Sequence, residues 1–350
     1  MSKKGVSSLK VAAAYIGTVV GAGFATGQEI LQFFNRFGAL GLSGILIAMI
    51  MFIIFGYIIM ALGRKLNARS HLEIIKYSGG RKLGALMDLV ITVFLFGSFT
   101  AMIAGTGALF SQQFNLPPLA GNILMAVLSA VTVFSGINGV INSISFVVPF
   151  LLAAVMGTGL FSIFSGNPDI RNAAIMGENS LISNWFVSAI LYVSYNIITS
   201  SAVLAPLGSE AQNHKAVRNG AILGGLGLGL GAVMIYFALS LHIWEVSDLE
   251  VPMIYIAGGM GRTMQTVYAA VLVAEVYTTA VASLYGFVSR ISIRNHAVKI
   301  RIVTVETAIA ALLASQFGFS NLVKYLYPAV GYCGIVLLIC LIYTMFKRKD

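Results

Sequence analysis

The first long apolar stretch of the chain, residues 11–34, is interrupted by a run that is unfavourable for a helix. This run reads Gly21-Ala22-Gly23-Phe24-Ala25-Thr26-Gly27-Gln28-Glu29. Each glycine costs roughly 1 kcal/mol relative to alanine inside a helix, and a carboxylate within a membrane span is costly and indicates a functional site. Broken helices persist in membranes where the freed main-chain groups line a cavity. The run therefore predicts a binding site of the kind that transport proteins build near the bilayer midplane.

Composition places the chain among the polytopic α-helical membrane proteins. Of its 350 residues, 58% are hydrophobic and only 10% are charged, a balance that does not suit a soluble domain. Apolar stretches of about 20 residues, long enough to cross a lipid bilayer, recur along nearly the whole length. No linker separates them, so we predict a single transmembrane domain over residues 1–350.

Ten membrane spans are predicted, and they divide into two sets of five. Their approximate ranges are 11–34, 39–62, 83–111, 119–136, 139–165, 184–206, 217–241, 263–290, 297–315 and 321–346. The boundary between the fourth and fifth spans is weakly defined, because only a short turn at 136–139 separates them. Since each set holds an odd number of spans, the two sets enter the membrane from opposite sides. We therefore expect inverted repeats, covering about 9–165 and 184–346.

The distribution of basic residues predicts the orientation. The net charge of +10 does not indicate a nucleic acid partner, because the charges lie in short loops between spans. If the N-terminus is cytoplasmic, eighteen of the 22 lysines and arginines fall on the inner side. Cytoplasmic loops carry such an excess of positive charge, so we predict that both termini are cytoplasmic.

The sixth span carries a polar patch at the position that corresponds to the interruption of the first. Residues 192–201 read Tyr192-Val193-Ser194-Tyr195-Asn196-Ile197-Ile198-Thr199-Ser200-Ser201. Serine, threonine and asparagine side chains bond locally to the main chain and compete with the helical ladder. We therefore expect helices 1 and 6 both to be broken, as in inverted-repeat transporters. The alternative is that these small polar residues pack helices together.

These features resemble the amino acid–polyamine–organocation superfamily, whose members have the LeuT-type fold of ten helices in a five-plus-five inverted repeat. Within it, the Gly-Ala-Gly-Phe-Ala-Thr-Gly-Gln-Glu run closely resembles that of the YkvI-type bacterial membrane proteins. The resemblance covers essentially the whole chain. It implies a multi-pass protein of the bacterial plasma membrane and secondary active transport by alternating access.

The resemblance also implies a bound sodium ion between the first and eighth spans. It places the main-chain carbonyls of Gly17 and Val20 on the ion, together with the hydroxyls of Thr278 and Thr279. Free carbonyls at the end of a half-helix attract cations, and oxygen ligands suit a hard cation. A threonine pair also serves helix packing, so the pair alone does not establish a site. No other cofactor is predicted.

The implied substrate is an amino acid or a similar small amine-bearing solute at the interface between the repeats. Main-chain amides around Val19 and Gly23 would meet its carboxylate, because free N–H groups at the start of a half-helix attract anions. The predicted substrate-binding residues are Val19, Gly21, Gly23, Phe24, Ser98, Tyr195, Asn196 and Thr199.

Two departures from the wider family bear on the ions. Phe24 stands where neurotransmitter-type members carry an amide that helps to bind a second ion, so a second sodium site is in doubt. Sodium-independent relatives often carry a lysine on the fifth span in place of the ion. Residues 139–165 contain no lysine or arginine, which favours an ion at the predicted site.

Two acidic residues lie within predicted spans. Glu275 is about 12 residues into the eighth span, near the midplane at 1.5 Å rise per residue, and one turn from Thr278 and Thr279. A carboxylate there must bind a cation, form an ion pair or hold a proton. Glu275 would therefore neutralise sodium or carry a proton in a proton-coupled mechanism. Glu29 is a candidate for gating or for selecting an ammonium group, with a structural ion pair as the alternative.

Transport by a secondary mechanism is the predicted function, and catalysis is not expected. The sequence contains no Walker motif for ATP-driven transport. Two other classes stay open. A nutrient receptor on the same scaffold would bind its ligand without moving it, and a passive channel would pass a solute without coupling to an ion gradient.

Cysteine labelling tests the predicted topology. In a background lacking Cys333 and Cys340, a membrane-impermeant maleimide added from outside should modify single cysteines introduced at 167–180. It should not modify cysteines introduced at 64–82, because the two loops are predicted on opposite sides. Labelling of both loops from the same side would contradict the topology.

Overall fold

The structure is a computed structural model that describes residues 5–68, 70–134, 150–151, 153–164, 181–291 and 297–346. Almost all of these residues are helical. The helices are α1 (Ser8–Val19), α2 (Ala22–Thr26), α3 (Gln28–Phe33), α4 (Ala39–Leu66), α5 (His71–Phe114), α6 (Pro118–Phe134), α7 (Ala153–Phe164), α8 (Trp185–Glu210), α9 (His214–Leu241), α10 (Ile243–Val246), α11 (Pro252–Gly258), α12 (Arg262–Ile291), α13 (Ala297–Ala314) and α14 (Phe319–Phe346).

The all-helical, multi-pass architecture is confirmed. Seven of the described helices, α4, α5, α8, α9, α12, α13 and α14, are long and apolar enough to cross a membrane. Three shorter apolar helices, α1, α6 and α7, lie within the predicted first, fourth and fifth spans. The predicted turn at 136–139 and most of the outer loop around 167–184 lie outside the described residues, so the count of ten spans stays a prediction.

The first span is interrupted where the glycine run predicts. α1 ends at Val19, and Val20 and Gly21 are extended, with ψ angles of 111° and −171°. Helical geometry resumes at Ala22 in α2 and stops again at Gly27, whose φ of +85° lies in the left-handed region that glycine adopts without strain. The interruption leaves α1 and the α2–α3 segment as separate helical pieces.

The predicted break of the sixth helix is wrong, because α8 is continuous through the polar patch. Asn196 Nδ2 and Thr199 Oγ1 each donate to a carbonyl one turn earlier in α8, both at 3.0 Å. Ser194 Oγ donates to Gly331 O of α14 at 2.6 Å. These bonds satisfy the polar side chains without opening the helical ladder, and the patch packs helices together.

The helices form two groups, with α14 packed against both. The first helix group contains α1, α4, α8 and α9, and the second contains α5, α6, α12 and α13. Each group draws one pair of helices from each half of the chain. α1 packs within the first group, whereas α2 contacts α12 of the second. The interruption of the first span therefore lies where the two groups meet.

The glycine-rich stretch of α9 packs helices closely. A Cβ atom on Gly220, Gly224 or Gly227 would overlap side chains of α1, and one on Gly225 or Gly229 would overlap side chains of α4. Small residues allow such close approach between helices in a membrane. α9 is therefore held tightly between α1 and α4.

The loop after α9 folds back over the outer half of the first span. Met253 of α11 contacts Gly27, where a Cβ atom would lie 2.9 Å from Met253 Cγ. Gln28 Nε2 donates to Leu249 O at 2.5 Å, and Val251 N donates to Gln112 Oε1 of α5 at 2.9 Å. These contacts tie the loop to both α3 and α5 and cover the α2–α3 segment, whose residues are all buried.

Candidate binding site at the interruption of the first helix

The carboxyl end of α1 provides main-chain carbonyls. The last main-chain hydrogen bond of α1 runs from Val20 N to Ile16 O, at 2.8 Å. The carbonyls from Gly17 onward therefore lie beyond the final turn, where a helix leaves its C=O groups without helical partners. The predicted cation ligands Gly17 and Val20 both lie in this stretch.

The interruption lies against α12. A Cβ atom on Gly21 would lie 4.0 Å from Thr279 Oγ1. Higher on α12, Tyr268 donates its hydroxyl to Ala25 O at 2.6 Å and so satisfies a carbonyl of α2. The two contacts fix α2 along α12 and bring Gly21 next to the predicted threonine pair.

The polar residues of α12 form a small cluster of oxygen atoms. Thr278 Oγ1 donates to Glu275 O at 3.0 Å, and Thr279 Oγ1 donates to Glu275 Oε1 at 3.5 Å. A threonine that donates its proton keeps its oxygen lone pairs for a cation. Glu275 is only 3% exposed, and its Oε2 atom has no hydrogen-bond partner. This cluster can supply three oxygen ligands and one negative charge to a hard cation.

Glu29 places a second carboxylate at the interruption. It follows α2 along the chain, yet its side chain returns to Gly23, where a Cβ atom would overlap the carboxylate. Glu29 is 4% exposed, and its Oε2 atom has no hydrogen-bond partner. Among the described residues, neither Glu29 nor Glu275 forms a salt bridge with a basic side chain. The salt bridge between Arg290 and Asp88 lies outside this site.

Aromatic side chains from four helices meet beside Glu29. We define the aromatic cluster as Phe33, Phe94, Tyr192, Tyr195 and Tyr327, which belong to α3, α5, α8 and α14. Neighbouring ring centroids lie 5.1 to 6.2 Å apart. The phenol groups of the three tyrosines lie near Glu29, and the hydroxyl of Tyr195 lies close to the Glu29 carboxyl group. The cluster combines aromatic rings, a phenol hydroxyl and a carboxyl group.

The other predicted substrate-binding residues take different positions. Phe24 turns its ring to α9, where a Cβ atom on Gly231 would lie 3.1 Å from it. Ser98 accepts a hydrogen bond from Ser283 of α12 at 3.1 Å. Asn196 and Thr199 bond to carbonyls of α8. Val19, Gly21, Gly23 and Tyr195 lie at the interruption or beside Glu29.

Several site residues were missed by the sequence analysis. Three of them are the aromatic residues Tyr268, Phe33 and Tyr327. Aromatic side chains are common in the core of apolar helices, so nothing in the sequence distinguishes these three from ordinary core residues. Pro328, which follows Tyr327 and lies inside α14, is a local signal in the sequence near that tyrosine.

Comparison with known proteins gives relatives that match over nearly the full length of the chain. The chain is 31% identical over 344 residues to the uncharacterized membrane protein YkvI of Bacillus subtilis, covering 98% of this chain and 97% of the relative. The chain belongs to the YkvI family. This assignment agrees with the resemblance of the glycine run. No family model matches the chain.

Solved structures show that this YkvI-family chain has the fold of known transporters. Mhp1 in an inward-facing conformation matches with a TM-score of 0.67 and 14% identity, over 97% of this chain and 78% of Mhp1. MhsT in complex with L-phenylalanine matches with a TM-score of 0.67 and 16% identity, over 97% and 90% of the two chains. A Na⁺-coupled sialic acid symporter matches with a TM-score of 0.63 and 13% identity, over 97% and 82%.

A double-mutant cycle tests the contact between Gly23 and Glu29. Gly23→Ala should force the Glu29 carboxylate to move, so its effect on the free energy of unfolding should depend on whether Glu29 is present. We expect a coupling of about 0.5–3 kcal/mol between Gly23→Ala and Glu29→Ala, measured by unfolding of the purified protein in detergent. The control is Gly21→Ala, whose Cβ atom has room and whose effect should add to that of Glu29→Ala within about 0.5 kcal/mol. Equal coupling at both glycines would contradict the geometry.

Proposed function

We propose that this protein is a secondary active transporter that couples the movement of a small amine-bearing solute, such as an amino acid, to sodium. The proposal is carried by one observation: the interrupted first span, at Gly21, packs against Thr279 of α12, whose hydroxyl donates to Glu275. Main-chain carbonyls and hydroxyls that converge beside a buried carboxylate form the oxygen-rich site that a hard cation requires.

The sodium ligands would be the carbonyls of Gly17 and Val20 and the side chains of Glu275, Thr278 and Thr279. The solute would bind beside them, at Val19, Gly21, Gly23 and Tyr195, with Phe24, Ser98, Asn196 and Thr199 as further predicted contacts. A sodium ion at Glu275 would neutralise a carboxylate whose Oε2 atom has no partner. Among the proteins of the same fold, one is described as Na⁺-coupled and another as bound to L-phenylalanine, which supports this class of solute and ion.

The two helix groups supply a means for alternating access. α1 packs within the first helix group, and α2 contacts the second, so a relative movement of the groups would bend the chain at Val20 and Gly21. The outer side is covered by the Leu249–Val251 segment. On the side predicted to be cytoplasmic, Val6 pairs with the residues that follow α8. Both closures would have to open in turn for a solute to cross.

Proton coupling through Glu275 is the second candidate. Its support is the burial of Glu275 and the lack of a partner for its Oε2 atom, because a carboxyl group in such surroundings is stabilised either by a cation or by a proton. A receptor that binds without transport would use the same site, and solute uptake into sealed vesicles separates it from a transporter.

Removal of the two hydroxyls tests the sodium site. Thr278→Ala combined with Thr279→Ala should weaken sodium activation of solute uptake into proteoliposomes by about tenfold or more, because two ion ligands are lost. The matched control is Thr266→Ala on the same helix, where the exposed hydroxyl also donates to a carbonyl one turn earlier. Unchanged sodium activation in the double variant would refute this site.

Substitution of Glu275 by glutamine separates the two coupling ions. If Glu275 is charged beside sodium, the attraction lost is about 1–4 kcal/mol, and sodium affinity should fall about tenfold or more. If it carries a proton instead, Glu275→Gln should abolish the pH dependence of uptake and leave sodium affinity nearly unchanged. The measurement is uptake as a function of sodium and of pH. A variant that matches the parent in both would show that Glu275 has no part in coupling.

A further inference from the structure

Glu29 presents a buried carboxyl group that the proposed sodium site does not use. Its carboxylate lies against Gly23, on the α2 side of the interruption, whereas Glu275 and Thr279 lie on the α12 side, beside Gly21. Glu29 is 4% exposed, its Oε2 atom has no hydrogen-bond partner, and no basic side chain of the described residues pairs with it. A carboxyl group buried in this way is stabilised either by a proton or by a partner of opposite charge.

The surroundings of Glu29 suit an organic cation better than a second metal ion. The phenol groups of Tyr192, Tyr195 and Tyr327, all members of the aromatic cluster, lie near Glu29. Aromatic faces attract ammonium groups, especially where water is excluded. The hydroxyl of Tyr195, which lies close to the Glu29 carboxyl group, can in addition accept a hydrogen bond from an N–H group.

The position of Glu29 disfavours a solute that carries a carboxylate of its own. The resemblance to sodium-coupled transporters places the carboxylate of an amino acid at the amides around Gly23. In this chain the Glu29 carboxylate already lies against Gly23. A substrate carboxylate there would meet a like charge in a site of low dielectric constant, which is strongly unfavourable.

We propose that Glu29 and the aromatic cluster form the ammonium subsite, and that the transported solute is a small organic amine without a carboxylate. The inference rests on the proposed function and narrows its substrate class. It also balances the buried charges, since sodium neutralises Glu275 and the amine neutralises Glu29. A zwitterionic amino acid would add one negative charge that no described basic side chain offsets.

Matched pairs of solutes test the subsite. Each pair is an amino acid and the amine that corresponds to it without the carboxylate: alanine and ethylamine, valine and isobutylamine, phenylalanine and phenethylamine. Binding to the purified full-length protein, in sodium at fixed concentration, is measured by the concentration dependence of the thermal shift. At least one amine should bind about tenfold or more tightly than its amino acid, the scale of one charge-assisted contact.

The variant Glu29→Gln should reduce amine affinity by about tenfold or more and remove the preference for the amine. Glu306→Gln, at an exposed glutamate of α13, is the control and should leave affinities unchanged. Tyr195→Phe keeps the ring and removes only the hydroxyl, so a fall of about threefold or more in amine affinity is expected from one lost hydrogen bond. This second variant keeps the test decisive if Glu29→Gln does not fold.

The inference would be overturned if the amino acids bound as tightly as their amines, or if the wild-type protein bound no amine saturably. It would also be overturned if the preference for the amine persisted in both Glu29→Gln and Tyr195→Phe. Sodium-dependent uptake of an amino acid that is unchanged in Glu29→Gln would remove the subsite and leave the proposed function standing. Amine binding without uptake into sealed vesicles would remove the proposed function and leave the subsite.

Discussion

Main-chain polar groups inside a membrane must find partners within the protein, and the interruption of the first helix frees several of them. Much of the surrounding structure meets this requirement. The hydroxyl of Tyr268 on α12 satisfies Ala25 O, Thr26 Oγ1 satisfies Gly23 O within α2, and Ser188 on α8 donates to Phe33 O. At the centre of this arrangement, Val20 N donates to Ile16 O and Gly21 O accepts from Ala25 N, whereas the carbonyl of Val20 and the amide of Gly21 have no main-chain partner among the described residues. A break that is stabilised on both sides and leaves these two groups in its middle is suited to a ligand.

Close helix packing makes one side of the interruption rigid. The glycines of α9 let side chains of α1 pack directly against the main chain of α9. Gly63 of α4 and Gly208 of α8 likewise let the main chains of α4 and α8 come into contact. Cores packed to this degree change between discrete arrangements and do not deform continuously. Since α2 contacts the second helix group, the extended residues between α1 and α2 are where a movement of one group against the other would be absorbed.

The charges at the interruption define its chemistry. Two carboxylates, Glu29 and Glu275, lie on either side of the same short segment, each with an oxygen atom that has no partner. Their surroundings differ: hydroxyls lie beside Glu275 and aromatic rings beside Glu29. Hydroxyl oxygens favour a small hard cation, and aromatic faces favour an organic one. In the proposed function, this difference would separate sodium at Glu275 from an ammonium group at Glu29.

The sequence by itself determined the membrane class, the interruption of the first span and the presence of acidic residues near it, because composition and glycine spacing act locally on the chain. It misjudged the sixth helix, since the same hydroxyls can unwind a helix or bond back to its carbonyls, and only packing against α14 selects between them. The tertiary structure alone decided that Glu29 returns to Gly23 and that Tyr195 and Tyr327 meet beside it. Those contacts join residues from separate helices, and no local pattern encodes which side chains converge.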